Sequence, residues 1–202
     1  MDFVPLERSA LVGNSVEVAP TLLGARLTLG PVTVRITEVE AYLGADDPGS
    51  HAFRGLTKRN STMFGEPGHL YTYFTYGMHV CANVVCSPEG VGHGVLLRAG
   101  EVTNGVELAR ARRHTSKIDA DLARGPGRLA VAMGITLDHN GEDLLDGPFT
   151  LELPASAIEY QQGPRTGVSG DGGTDNFPWR FWIPGDPTVS PYRRSTPRRI
   201  VR

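Results

Sequence analysis

The chain has 202 residues, 40% hydrophobic and 21% charged, with a net charge of −2, which suits one soluble domain with a sizeable buried core. No apolar run approaches the ~18 residues that a transmembrane helix needs, and the opening MDFVPLERSALVG lacks the basic flank and apolar stretch of a signal peptide. Two cysteines, Cys81 and Cys86, are too few for a secreted disulfide scaffold and point to the reducing cytoplasm.

In chain order, NSVEVAPTLLG (14–24) predicts a short helix capped at Asn14 or Ser15 and stopped at Gly24. ARLTL (25–29) and VTVRITEVEAY (32–42) read as two strands joined at Gly30-Pro31. In the second strand a period of two places Val32, Val34 and Ile36 on one face, and the same count carries Glu38 and Glu40 onto it. Two carboxylates on an apolar face need either cationic partners, Arg35 or Arg98, or a task, since an unpaired buried charge costs several kcal/mol. One such task is that of general base toward water. Residues 43–69 form a long connection rich in Gly, Pro, Asp, Ser and Asn, of the kind that usually carries function or is disordered.

HLYTYFTYGMHVCANVVC (69–86) predicts two strands around Tyr76-Gly77-Met78-His79, with Gly77 at the first central position of a two-residue type II′ turn. Tyr76 then sits at a hairpin tip, while Tyr71 and Tyr73 share a strand face. Four of the six tyrosines, Tyr42, Tyr71, Tyr73 and Tyr76, fall within 35 residues, which suits either sheet packing or a stacking pocket with Tyr76 as a wedge. Asn83 is an unusual residue for the interior of a strand, and its amide could meet a base.

GVLLRA (94–99) is a further strand ending in Arg98, NGVELARARR (104–113) a helix, and ARGPGRLAVAMGI (123–135) a helix opened by Gly125-Pro126-Gly127-Arg128, whose free N–H groups offer an anion site. FTLEL (149–153) and WRFWI (179–183) are strands flanking a glycine-rich loop at 163–178. Segment 193–202 carries five arginines and no acid, a basic tail that is either solvated or in contact with phosphates. Lys58, Arg59 and Asn60 add to the positive side. Strands and helices do not alternate, so the expected class is α+β: one domain over 1–202, with a mostly antiparallel or mixed, curved sheet, flanking helices and a protruding hairpin.

Metal ligation is the competing use of the polar residues, but six scattered histidines with no HExxH and a lone C-x4-C do not make a zinc site. The H-x-E with P-C-x-x-C pattern of zinc deaminases, G-x-S-x-G and the Walker loop are missing as well. No metal and no cofactor is expected.

Taken together, LLGARL, EVEAYLG with DPGSHAFRG, TKRN, MFG and PGHLYTYFTYGMHVCANVV, then VLLRAGE, GPGRLAVAMGI and WRFWI, resemble the 3-methyladenine (alkyladenine) DNA glycosylases of the mammalian type. The resemblance covers most of residues 20 to 185, and block 38–83 carries it most specifically. It implies a monofunctional enzyme of base excision repair that extrudes an alkylated purine and hydrolyses its N-glycosidic bond. It implies double-stranded DNA as partner, no membrane, a monomer, and a cytoplasmic or nucleoid-associated location. By position, Glu40 matches the general base and Arg98 a cation near the water and the phosphodiester. Tyr42, His51 and Tyr73 match residues lining the base pocket, and Asn83 one that bars guanine's exocyclic amine. The main chain at Ile183 matches the segment closing over the water; Tyr76, with Met78 beside it, matches the inserted wedge. Lys58, Arg59, Asn60, Gly125, Gly127 and Arg128 are expected along the DNA backbone. The alternatives are a non-catalytic module for damaged DNA and a metal-dependent nucleoside hydrolase.

Overall fold

The computed structural model describes residues 2–75, 77 and 79–195. Ten strands form one sheet: β1 (Phe3–Pro5), β2 (Arg26–Leu29), β3 (Val32–Tyr42), β4 (Leu70–Thr75), β5 (His79–Cys86), β6 (His93–Asn104), β7 (Ala123–Arg124), β8 (Phe149–Pro154), β9 (Gln161–Gly163) and β10 (Arg180–Trp182). Their main order is β1-β8-β2-β3-β6-β5-β4, with β10 on β3 and β9 on β10. Every pairing among the described residues is antiparallel, so the fold is α+β without the parallel component that a mixed sheet would have. Three short α-helices accompany it among the described residues: α1 (Ser15–Val18), α2 (Val106–Arg112) and α3 (Pro126–Met133). Asn14 caps α1 through its side-chain oxygen, and α3 opens on a proline, as the sequence predicts.

Four differences from the sequence reading have physical causes. β6 runs on for five residues past Ala99 because Ala99 and Gly100 also pair with β7 and the rest with β3. β1, β7 and β9, which the sequence does not suggest, are segments of two or three residues, too short to show a strand's alternation. Thr75 pairs with His79, so three residues lie between β4 and β5 and the turn is not the two-residue type. Tyr76, Met78 and the tail from 196 onward lie outside the described residues.

The fourth difference concerns the two acids. The β3–β6 register is irregular between Ile36 and Glu38 and again between Glu38 and Val39. Arg35 donates to Asp186, the Thr37 hydroxyl lies 2.8 Å from that of Thr188, and Glu38 accepts from Ser190. Three side chains at 35, 37 and 38 thus reach the same 186–190 segment, which a strict period of two forbids. One extra residue, Thr37, resets the alternation, the usual effect of a β-bulge. Beyond it Val39 and Ala41 join Val32, Val34 and Ile36 in the main core, and Glu38 and Glu40 turn to the opposite face. The acids do share a face with each other, but it is not the apolar one.

The sheet therefore has two differently used sides. Leu70, Val84, Val95, Leu97 and Val39 meet Leu129, Ala130 and Met133 of α3 and the residues around α1 in the main core. The other side carries a small cluster of Ala52, Met63, Tyr71 and Val85, roofed by the 43–69 connection. That connection is tied down by two 3₁₀ turns, Gly44–Asp46 and Ser61–Phe64.

Candidate active site

A transverse row of paired residues builds the floor of the site. Tyr71 on β4 opposes Asn83 on β5, Asn83 opposes Leu96 on β6, and Leu96 opposes Glu40 on β3. All four line one cavity of about 300 Å³, at the small end of ligand pockets. Arg98, Tyr73 and Cys81 extend the floor; Tyr42, Pro48, Gly49 and His51 form one wall and Thr166 to Ser169 another. Of the residues singled out in the sequence, Glu40, Tyr42, His51, Tyr73, Asn83 and Arg98 are brought together here.

Glu38 and Glu40 are both fully buried, yet their surroundings differ. Glu38 is saturated. It accepts from Arg98 Nε (2.8 Å), Arg180 Nε (2.6 Å), Ser190 N (2.7 Å) and Ser190 Oγ (3.1 Å). Glu40 accepts the Thr166 N–H at 2.7 Å on Oε1 and the Tyr42 O–H at 3.0 Å on Oε2, with Arg98 Nη1 3.4 Å from Oε1. A carboxylate has about four acceptor positions, so Glu40 keeps capacity toward the cavity. Arg98 bridges the two acids; burial opposes its charge, but Glu40 and Glu38 hold its pKa above the ordinary value. Burial, and then the Glu40 carboxylate, push the Tyr42 pKa well up, so Tyr42 stays a phenol that donates.

Glu38 has a structural role. Glu38→Gln would leave the buried Arg98 and Arg180 short of a counter-charge, and removing one partner of a buried pair costs ~3–5 kcal/mol. A chemical denaturation midpoint should fall accordingly; an unchanged midpoint would contradict this assignment.

The aromatic wall is ordered by its own contacts. Tyr71 and Tyr73 stack with centroids 5.7 Å apart, and His51 stands edge-on to Tyr73 at 4.5 Å. Burial, then Arg59, lower the His51 pKa, so its ring is neutral at pH 7. Burial raises Tyr73 as well, and pushes the neighbouring Cys81 thiol up to about 11, leaving it protonated and unreactive. The Asn83 amide donates to the Tyr71 carbonyl at 3.1 Å, which fixes its orientation in the floor.

Other expected positions fall elsewhere. Ile183 does not line the cavity: its N–H donates to the Thr37 carbonyl at 3.0 Å and its side chain packs on the main core. The wall beside Glu40 is instead Thr166–Ser169. Asn60 is 2% exposed and its amide is consumed within its own loop, so it is not free for a DNA backbone. Arg128 is paired with Asp121. Gly125 precedes α3 at φ 129°, a conformation side chains rarely adopt, and a Cβ at Gly127 would lie 3.0 Å from the His79 side chain, so Gly125 serves the turn and Gly127 close packing. Lys58 and Arg59 are exposed.

The residue that sequence reasoning missed is Arg165, fully buried in the glycine-rich loop. It grips both oxygens of Asp47 at 2.5 and 2.6 Å, donates to the carbonyls of Ala41 and Gly172, and lies over the rings of Tyr42 and Trp179. This pair joins the 43–50 and 163–173 segments and sets the backbone from which Thr166 reaches Glu40. Ideal Cβ atoms on Gly49 and Gly172 would lie 2.6 Å from Arg165 Nη2 and Gly49 N respectively, which explains the glycines around it. The only signal in the sequence is one arginine among glycines; its acidic partner lies 118 residues away.

Comparison with known proteins adds the identity of the scaffold. Residues 10–187 match the family model described as methylpurine-DNA glycosylase (MPG). A 3-methyladenine DNA glycosylase by name from Leifsonia xyli subsp. xyli is 60% identical over 196 residues, covering 93% of this chain and 92% of that protein. One of the same name from Streptomyces avermitilis is 54% identical, covering 98% and 96%, and another from Mycobacterium leprae 48%, covering 92% and 88%.

Proposed function

Since the chain belongs to the methylpurine-DNA glycosylase family, and is thus a DNA glycosylase of base excision repair that hydrolyses N-glycosyl bonds, we propose that it removes alkylated purines with a water activated by Glu40. The observation that carries this reading is the contrast between the two buried acids: Glu38 is closed off by two arginines and Ser190, while Glu40 opens onto an aromatic cavity. A purine alkylated at N3 or N7 is a cation, and electron-rich rings such as Tyr71 and Tyr73 attract it. Its bond to C1′ loosens toward an oxocarbenium-like state, as in glycoside hydrolysis. Water adds at C1′ and yields its proton to Glu40, while the C1′–N9 electron pair leaves with the base, giving free base and an abasic site. The Glu40 charge also stabilises the developing cation. No lysine is among the described cavity residues, in keeping with water as nucleophile.

The chain acts in this reading as a monomeric, cytoplasmic domain on double-stranded DNA, with the β4–β5 hairpin protruding toward it. No helix among the described residues is long and apolar enough to cross a membrane. Extruding a nucleotide costs a few kcal/mol of unstacking and unpairing, and in this reading Tyr76, which follows β4 in the sequence, fills the gap. Tyr76→Ala should weaken binding to a lesion duplex by roughly 1–3 kcal/mol, the worth of one base–aromatic stack. Unchanged affinity in a titration would remove the wedge. The test of the whole reading is release of free base from duplexes carrying a single 3-methyladenine or 7-methylguanine. Binding without release would make the protein a damaged-DNA-binding module instead.

A further inference from the structure

The loop from His51 to Asn60 presents a surface that the chemistry of excision does not use. Phe53 is 46% and Leu56 64% exposed, and Phe74 on the adjoining strand is 46% exposed. The loop is not loose. Buried Asn60 cross-links it, donating from Nδ2 to the carbonyls of His51 and Gly55 at 3.0 and 3.1 Å and accepting from Thr57 N and Oγ1 at 2.6 and 2.9 Å. Arg59 fastens it to the hairpin by donating to the Phe74 carbonyl at 3.1 Å. Apolar side chains are thus held out in water by a rigid frame, which is costly unless a partner covers them.

The charges beside them say which partner. Arg54, Lys58 and Arg59 are exposed, the 51–60 loop contains no acid, and none of the three forms an ion pair among the described residues. Two exposed arginines elsewhere, Arg110 and Arg128, are paired with acids. Free cations around apolar side chains fit a polyanion whose sugars and base edges are apolar. The loop also begins at His51, so the surface is continuous with the mouth of the cavity.

We propose that Phe53 and Leu56 form a second apolar contact with the duplex, pressing on sugar and base edges beside the extruded nucleotide, while Arg54 and Lys58 hold the flanking phosphates. This rests on the reading of the chain as a DNA glycosylase and adds to the hairpin wedge a contact from the loop fastened beside it. Both side chains are exposed, so the double substitution Phe53→Ser/Leu56→Ser leaves the core intact.

The test compares that variant with wild type on a duplex carrying a tetrahydrofuran abasic-site analogue, at several salt concentrations. Affinity should fall about tenfold or more, since each apolar side chain loses burial. The slope of log affinity against log salt should be unchanged, because no phosphate contact is lost. Arg54→Ala and Lys58→Ala should instead each flatten the slope by about one unit. The single-turnover excision rate at saturating enzyme should match wild type. Wild-type affinity in the double variant would overturn the proposal; so would an equal fall in the saturating excision rate, which would mark a distorted cavity. Loss of self-association with unchanged DNA binding would also overturn it, assigning the surface to a second copy. If wild type itself releases no base, it is the functional reading that fails.

Discussion

Glu40→Gln is expected to reduce excision of 3-methyladenine by about 10³-fold or more, while the protein stays folded and binds its lesion. A positioned general base contributes ~10²–10⁴, and the lost negative charge removes electrostatic support for the sugar cation as well. The amide is nearly isosteric. Its oxygen can still accept from Thr166 N–H or Tyr42 O–H, the two donors that hold the carboxylate now. Arg98 would lose one of two acidic neighbours and keep Glu38 at 2.8 Å. Stability should therefore change much less than in Glu38→Gln, although the two residues are two positions apart on one strand. Single-turnover excision and thermal unfolding on both variants check this crossed pattern. A Glu40→Gln enzyme with wild-type rate would end the assignment of Glu40 as base.

The second large effect belongs to Arg165→Met. Methionine fills much of the same volume but leaves Asp47 buried with no cation, and breaking such a pair by removing one partner costs ~3–5 kcal/mol. Asp47→Asn combined with Arg165→Met removes both charges and should recover a good part of the loss, since residues sharing one network are not additive. Because Arg165 anchors the backbone just before Thr166, the single variant should also lose excision at temperatures where it remains folded. Denaturant titrations of the four members of the cycle measure the coupling. A single variant within ~1 kcal/mol of wild type would show that the ion pair contributes no net stability, as some buried pairs do not.

How much of this could be read beforehand varies with the range of the interaction. The turn at Gly30-Pro31, the cap at Asn14 and the start of α3 at Pro126 are local and were legible. So was the gathering of Glu40, Tyr42, His51, Tyr73, Asn83 and Arg98, but only through family resemblance; spacing alone could not join β3, β4, β5 and β6. Arg98 was foreseeable as a partner of Glu38, whereas Arg180 and Ser190 approach from the far end of the chain. Arg35, the other expected partner, is engaged by Glu101 and Asp186. The register irregularity at Thr37 had no signature in the sequence, since threonine is at home in any strand.

That extra residue gives β3 two independent phases. Up to Ile36 the alternation is dictated by the main core, and from Glu38 onward by the cavity on the opposite side of the sheet. The irregularity at Arg98 on β6 keeps the neighbouring strand in step, so pairing survives the change. The core half of the strand and the catalytic half can therefore vary in sequence separately. What Thr37 supplies is a break in the alternation rather than side-chain chemistry: the same residues in unbroken alternation would put Glu38 and Glu40 on the face of Ile36 and turn Val39 and Ala41 away from it.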